Sequence, residues 1–236
     1  MQSRDRLIVA LDRSSRDEIL RLADDLHDAA GAFKIGLQAF IANGPAIVRE
    51  LVERGEKVFL DLKIHDIPNT AQRAVADVAS LDVWMTTVHA SGGEAMLRAC
   101  ARDDVLILGV TVLTSLDQKE LQQVGFAGTP LENAVRLARL SKQCGLRGVV
   151  ASPEETAAIR EACGPDLVIV TPGVRPEESS TGDQRRTKTP AAAIAAGANY
   201  IVVGRPITDA AEPRTAAVRI IERLDASKRS PAASSA

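Results

Sequence analysis

The chain has 236 residues, 45% of them hydrophobic and 25% charged, enough apolar material for a sizeable core and too much for a disordered chain. A net charge of −2 with only 3% aromatic residues excludes the broad basic face and the stacking rings that polymeric nucleic acid demands. No apolar run approaches the roughly 20 residues of a membrane span, no apolar leader core precedes the first strand-like run, and Cys100, Cys144 and Cys163 form no close pair, so structural thiols in a cytoplasmic protein are expected.

Short β-branched runs then recur along the chain. "RLIVALD" comes first, and Ser14 and Ser15 before "RDEIL" supply a helix start after it. "AFKIG" and "KVFLDLK" follow, with Pro68 opening the helical "PNTAQRAVADVA". Next come "VWMTTVHA", "VLILGVTVL" and "RGVVAS", the last followed by Pro153 before "EETAAIREAC". "LVIVTP" precedes a long polar loop, Pro190 starts another helix, and "YIVVG" is the last strand. Near-continuous apolar character marks strands buried on both faces, as in a helix-covered parallel sheet. A doubly wound open sheet is the rival arrangement. Eight βα units without a composition break favour an α/β fold of the closed (β/α)₈ TIM-barrel type, a single domain over residues 1–226. Residues 227–236, "SKRSPAASSA", read as a disordered tail.

In such a barrel, chemistry belongs where the strands end. The eight ends read Asp12, Lys34, Asp61 with Lys63, His89, Thr114, Ser152, Thr171 with Pro172, and Gly204 with Arg205. In the third strand a period of two puts Asp61 and Lys63 on the barrel face and the leucines between them on the helix face. One isolated pair would read as a structural ion pair. With Lys34 on the neighbouring strand and Asp66 just beyond, however, four alternating charges come together, and desolvating them costs several kcal/mol per ion, which suits catalysis better than stability. His65 reads as a supporting residue, His89 as a hydrogen-bonded histidine or a catalytic one, and His27 as surface.

The loop "GVRPEESSTGDQRRTK", spanning 173–188, carries Arg175, Gln184, Arg185 and Arg186, and Gly204-Arg205 follows the last strand. Barrels often hold a phosphate between the loops after strands seven and eight, and a loop this long suits a lid. A solvated charged loop is the plain alternative. Interspersed lysines oppose a dication at the carboxylates, and no Ser-His-Asp arrangement, P-loop or dinucleotide turn is present.

"DLKIHDIPNT", with "VALD", "FKIG", "VHASGG", "VTVLTS", "TPGVRP", "GDQRR" and "VVGRPI" in order around it, resembles the bacterial orotidine 5′-phosphate decarboxylases over all but the tail. That resemblance implies decarboxylation of orotidine 5′-monophosphate (OMP) to UMP and CO₂, the last step of pyrimidine nucleotide synthesis, without cofactor or metal. It implies Lys63 as the donor of a proton to a C6 carbanion, in a catalytic group of Lys34, Asp61, Lys63 and Asp66. It further implies a homodimer in which Asp66 and Thr70 reach the neighbouring subunit's site. Asp12 and Lys34 match ribose contacts, Thr114 a pyrimidine contact, and Gln184, Gly204 and Arg205 the phosphate site, with Arg175 close by. A Mg²⁺-dependent barrel acting on sugar phosphates shares the Asp-x-Lys-x-x-Asp pattern, but "HDIPNT" and Lys34 argue against it. A nucleotide-binding barrel without catalysis is the remaining rival.

Overall fold

The computed structural model describes residues 1–174 and 188–229. Eight parallel strands close in sequential order: β1 (Leu7–Ala10), β2 (Ala32–Gly36), β3 (Val58–Ile64), β4 (Met85–His89), β5 (Leu106–Val110), β6 (Gly148–Val150), β7 (Val168–Thr171) and β8 (Tyr200–Val203), with β8 pairing back onto β1. The expected (β/α)₈ barrel is the fold.

Helices fill every crossover. Among the described residues they are α1 (Arg16–Leu26), α2 (Leu37–Asn43), α3 (Pro45–Glu53), α4 (Pro68–Ala79), α5 (Gly93–Cys100), α6 (Gln118–Gln123), α7 (Pro130–Gln143), α8 (Thr156–Cys163), α9 (Pro190–Ala195), α10 (Arg205–Thr208) and α11 (Pro213–Arg229). Several start where the sequence signals them. The Ser15 hydroxyl accepts from the Glu18 amide, Pro68 and Pro190 each occupy a first turn, and Thr129 forms a reciprocal capping box with Glu132. Pro153 does not start α8: it opens a turn, and the helix begins at Thr156. Ser227 to Arg229, expected in the tail, complete the last turn of α11, and residues 230–236 lie outside the described ones.

Strand alternation divides the core into two layers. Leu7, Val9, Ile35, Leu60 and Val88 face outward with buried helix residues such as Ile19, Leu51 and Val75. Ile8, Ala10, Ala32, Phe59, Met85, Leu108, Val170 and Val202 fill the barrel interior. The larger side chains among them, Val and upward, each contribute about 1.5–3 kcal/mol when fully buried. One step further along the same inward rows, the apolar filling gives way to Asp12, Lys34, Asp61 and Thr87. The barrel therefore has an apolar floor beneath a charged rim. All three cysteines are buried and unpaired, and among the described residues no helix is long and apolar enough to cross a membrane.

Candidate active site

The rim charges form one chain of contacts. Lys34 Nζ lies 2.9 Å from Asp12 Oδ1 and 3.7 Å from Asp61 Oδ2, and Lys63 Nζ lies 2.7 Å from the same Asp61 oxygen. The other Asp61 oxygen accepts from the Thr87 hydroxyl at 2.9 Å. The Asp61 and Lys34 side chains are each 11% exposed, against 36% for Lys63 and 50% for Asp12, so the two central charges rely on each other rather than on water. Burial alone would push the Asp61 carboxyl up. The charges of Lys34 and Lys63, with hydrogen bonds from Lys63 and Thr87, outweigh it and hold the group below its usual range.

Local backbone explains how Asp61 and Lys63 meet. Between Leu60 and Ile64 the register of β3 against β4 shifts, four residue steps on β3 facing two on β4. Inside this bulge Lys63 has φ 53°, a left-handed conformation uncommon for a residue with a Cβ. The Lys63 N–H, lost to the ladder, donates instead to Thr87 Oγ1 at 2.9 Å. Alternation thus gave the correct face for Lys63 through an irregular backbone rather than a regular strand.

A cavity of about 610 Å³ opens over this rim. It brings together Asp12, Lys34, Asp61, Lys63, Thr114, Gly204 and Arg205, seven of the residues singled out from sequence, with apolar walls from Val112, Val150 and Pro172. Arg13, which also lines it, pairs with Glu18 and Asp209 and went unnoticed in the sequence. Nothing in "ALDRSS" distinguishes this arginine from a surface one.

Asp66 needs a correction. Within the chain it is not the fourth member of the array, a place taken by Asp12; Asp66 is exposed, accepts from the Ile67 amide at 2.7 Å, and with the exposed Thr70 stays off the cavity wall. The reason is geometric: β3 ends at Ile64, and the chain turns outward before α4 begins at Pro68. Arg175 and Gln184, with Arg185 and Arg186, lie outside the described residues. His65 is exposed and His89 half-buried, their ring centroids 5.4 Å apart; neither lines the cavity.

Charged groups converging at the C-terminal strand ends, over an apolar floor and beside an arginine-bearing strand end, define a (β/α)₈-barrel enzyme with its site at the barrel mouth. The family model described as "Orotidine 5′-phosphate decarboxylase / HUMPS family" matches residues 5–220. An orotidine 5′-phosphate decarboxylase of Moorella thermoacetica is 50% identical, the match covering 95% of this chain and 94% of that protein. One from Syntrophomonas wolfei is 46% identical over 95% of this chain and 100% of its own. Among solved structures, the orotidine 5′-phosphate decarboxylase of Lactobacillus acidophilus superposes with a TM-score of 0.81 at 33% identity, covering 93% of this chain and 98% of that one. An uncharacterized conserved protein from Geobacillus kaustophilus gives 0.79 at 35%, over 92% and 99%. The chain belongs to the orotidine 5′-phosphate decarboxylase family.

Proposed function

We propose that the chain decarboxylates OMP to UMP and CO₂ at the cavity above Asp61 and Lys63, with no metal or organic cofactor. The observation that carries this reading is the ionised Asp61 carboxylate held between two lysine amines on the wall of one cavity. Breaking the bond from C6 to the carboxylate carbon leaves an electron pair in an orbital outside the ring π system, where delocalisation into a carbonyl is not available. Charge must meet it directly. The Lys63 ammonium stabilises the developing carbanion and then transfers its proton to C6, giving UMP. A positioned proton donor contributes about 10²–10⁴-fold, so preorganised charge has to supply more. Asp61 repels the substrate carboxylate, a repulsion that ends as neutral CO₂ departs. Unit charges about 4 Å apart interact by about 4 kcal/mol at an effective dielectric near 20, so each neighbour matters for position.

In this reading Asp12 and Lys34 take ribose hydroxyls, Thr114 meets the pyrimidine, and Gly204 and Arg205 take the phosphate with Gln184 and Arg175. Binding energy from the phosphate offsets the cost of holding the substrate carboxylate against like charge. Asp66 and Thr70 of the partner subunit complete the site in a homodimer. In support, both residues are exposed on their own chain, and the exposed apolar side chains Leu37, Ile41 and Ile67 follow the two adjacent strands β2 and β3. Three buried free thiols suit a cytoplasmic enzyme.

The test is loss of orotate absorbance when purified protein meets OMP in excess EDTA. We expect turnover undiminished by the chelator. Binding of UMP with no consumption of OMP would make the chain a nucleotide-binding barrel. Metal-dependent turnover of a ketose phosphate, with none of OMP, would assign it to sugar-phosphate chemistry.

A further inference from the structure

The β3 bulge interrupts the ladder against β4, and the hydroxyls of two adjacent β4 threonines meet its backbone there. Both are fully buried. Thr86, facing outward, donates its hydroxyl to the Leu60 carbonyl at 2.7 Å, at the point where the register shifts. Thr87, facing inward, uses both capacities of its hydroxyl: it accepts from the Lys63 N–H at 2.9 Å and donates to Asp61 Oδ1 at 2.9 Å. One oxygen thereby ties the left-handed backbone of Lys63 to the carboxylate that its own ammonium touches. Threonine suits the task because its branched Cβ limits χ1 and fixes where the hydroxyl points.

We propose that Thr87 is a positioning residue for the decarboxylation, holding Lys63 in its strained conformation and Asp61 in its orientation through one buried hydroxyl. It acts through those two groups and does not line the cavity. The proposal rests on the reading of Lys63 as proton donor. A residue at φ 53° keeps that conformation only while its surroundings over-determine it. With the hydroxyl removed, the Lys63 amide loses its acceptor and Asp61 loses a donor, so both groups are free to drift. A displacement of about 1 Å at a reacting group is worth about 10²-fold in rate.

The experiment compares Thr87→Val, which keeps shape and loses the hydroxyl, with Thr87→Ser, which keeps the hydroxyl, and with Lys63→Ala. We expect Thr87→Val to lower kcat at least about tenfold while KM for OMP and affinity for UMP change little. Thr87→Ser should restore most of kcat. The acid limb of the Thr87→Val pH profile should lie above that of the wild type, because Asp61 has lost a hydrogen bond that favours its ionised form. A folded Thr87→Val with wild-type kcat and profile, or a Thr87→Ser equally impaired, overturns the proposal. A Lys63→Ala that still turns over OMP would instead overturn the reading of the site. Should Thr87→Val fail to fold, amide exchange at Lys63 in the wild type decides: a protected amide upholds the bond to Thr87, and one exchanging at open-chain rate overturns it.

Discussion

Asp61 is the residue around which the others make sense. A carboxylate at 11% side-chain exposure is costly to ionise, and it stays charged because two amines and a hydroxyl surround it. His89, one inward position beyond Thr87, has the opposite balance. Burial, then the charges of His65 and Lys63, pushes its imidazole below the ordinary value, while Asp61 only partly opposes them. The unfolded chain therefore takes up this proton at higher pH than the folded one. Stability linked to His89 is full above about pH 6.5 and falls as pH descends through the window between that value and the lower folded one. We expect the wild-type Tm to drop more than that of His89→Asn between about pH 7.5 and about pH 5.5; parallel curves would contradict this. Asp12, Lys34, Asp61 and Lys63 were legible in the sequence because charges at the ends of apolar runs have no structural excuse. Thr87 was not. In "MTTVH" a threonine reads as a good strand former, and only the bulge opposite gives its hydroxyl a purpose.

At the scale of elements, β3 and β4 together fix Asp61 and Lys63, above a floor filled from strands all round the barrel. Gly148 of β6 shows how tightly that floor is filled. A Cβ there would sit 2.9 Å from the Val168 carbonyl oxygen and 2.5 Å from Leu108 Cδ2, so strands β5, β6 and β7 meet as closely as they do because position 148 has no side chain. We expect Gly148→Ala to destabilise by about 1–3 kcal/mol through overpacking, read as a Tm loss of about 2–4 °C per kcal/mol. An unchanged or higher Tm would show that the strands separate freely. The eight strands were legible because parallel strands covered on both faces leave long apolar runs. Their edges, and the start of α8, were less so. A proline fits a turn as well as a first helical residue, and at Pro153 the turn prevails while Thr156 opens the helix with its hydroxyl on the Ser152 carbonyl at 2.9 Å. The bulge in β3 was invisible, since a left-handed lysine leaves no mark in a period-two pattern.

Over the whole molecule, the closed sheet places charges from β1, β2 and β3 around one cavity, with Gly204 and Arg205 following β8, the strand that pairs back onto β1. The course of the chain at His65 to Thr70 leaves Asp66 exposed on its own surface, the position from which it would reach the neighbouring site in the proposed homodimer. The central claim is that Lys63 of one chain acts beside Asp61 and beside Asp66 of the partner subunit, and OMP turnover by co-expressed Lys63→Ala and Asp66→Ala chains tests it most directly. We expect each variant alone to be nearly silent, Lys63→Ala still to bind UMP, and the mixture to recover about one quarter of wild-type turnover, since half the dimers then hold one intact site. A Lys63→Ala homodimer that keeps most of its kcat, or a mixture no more active than its parents, would contradict the account.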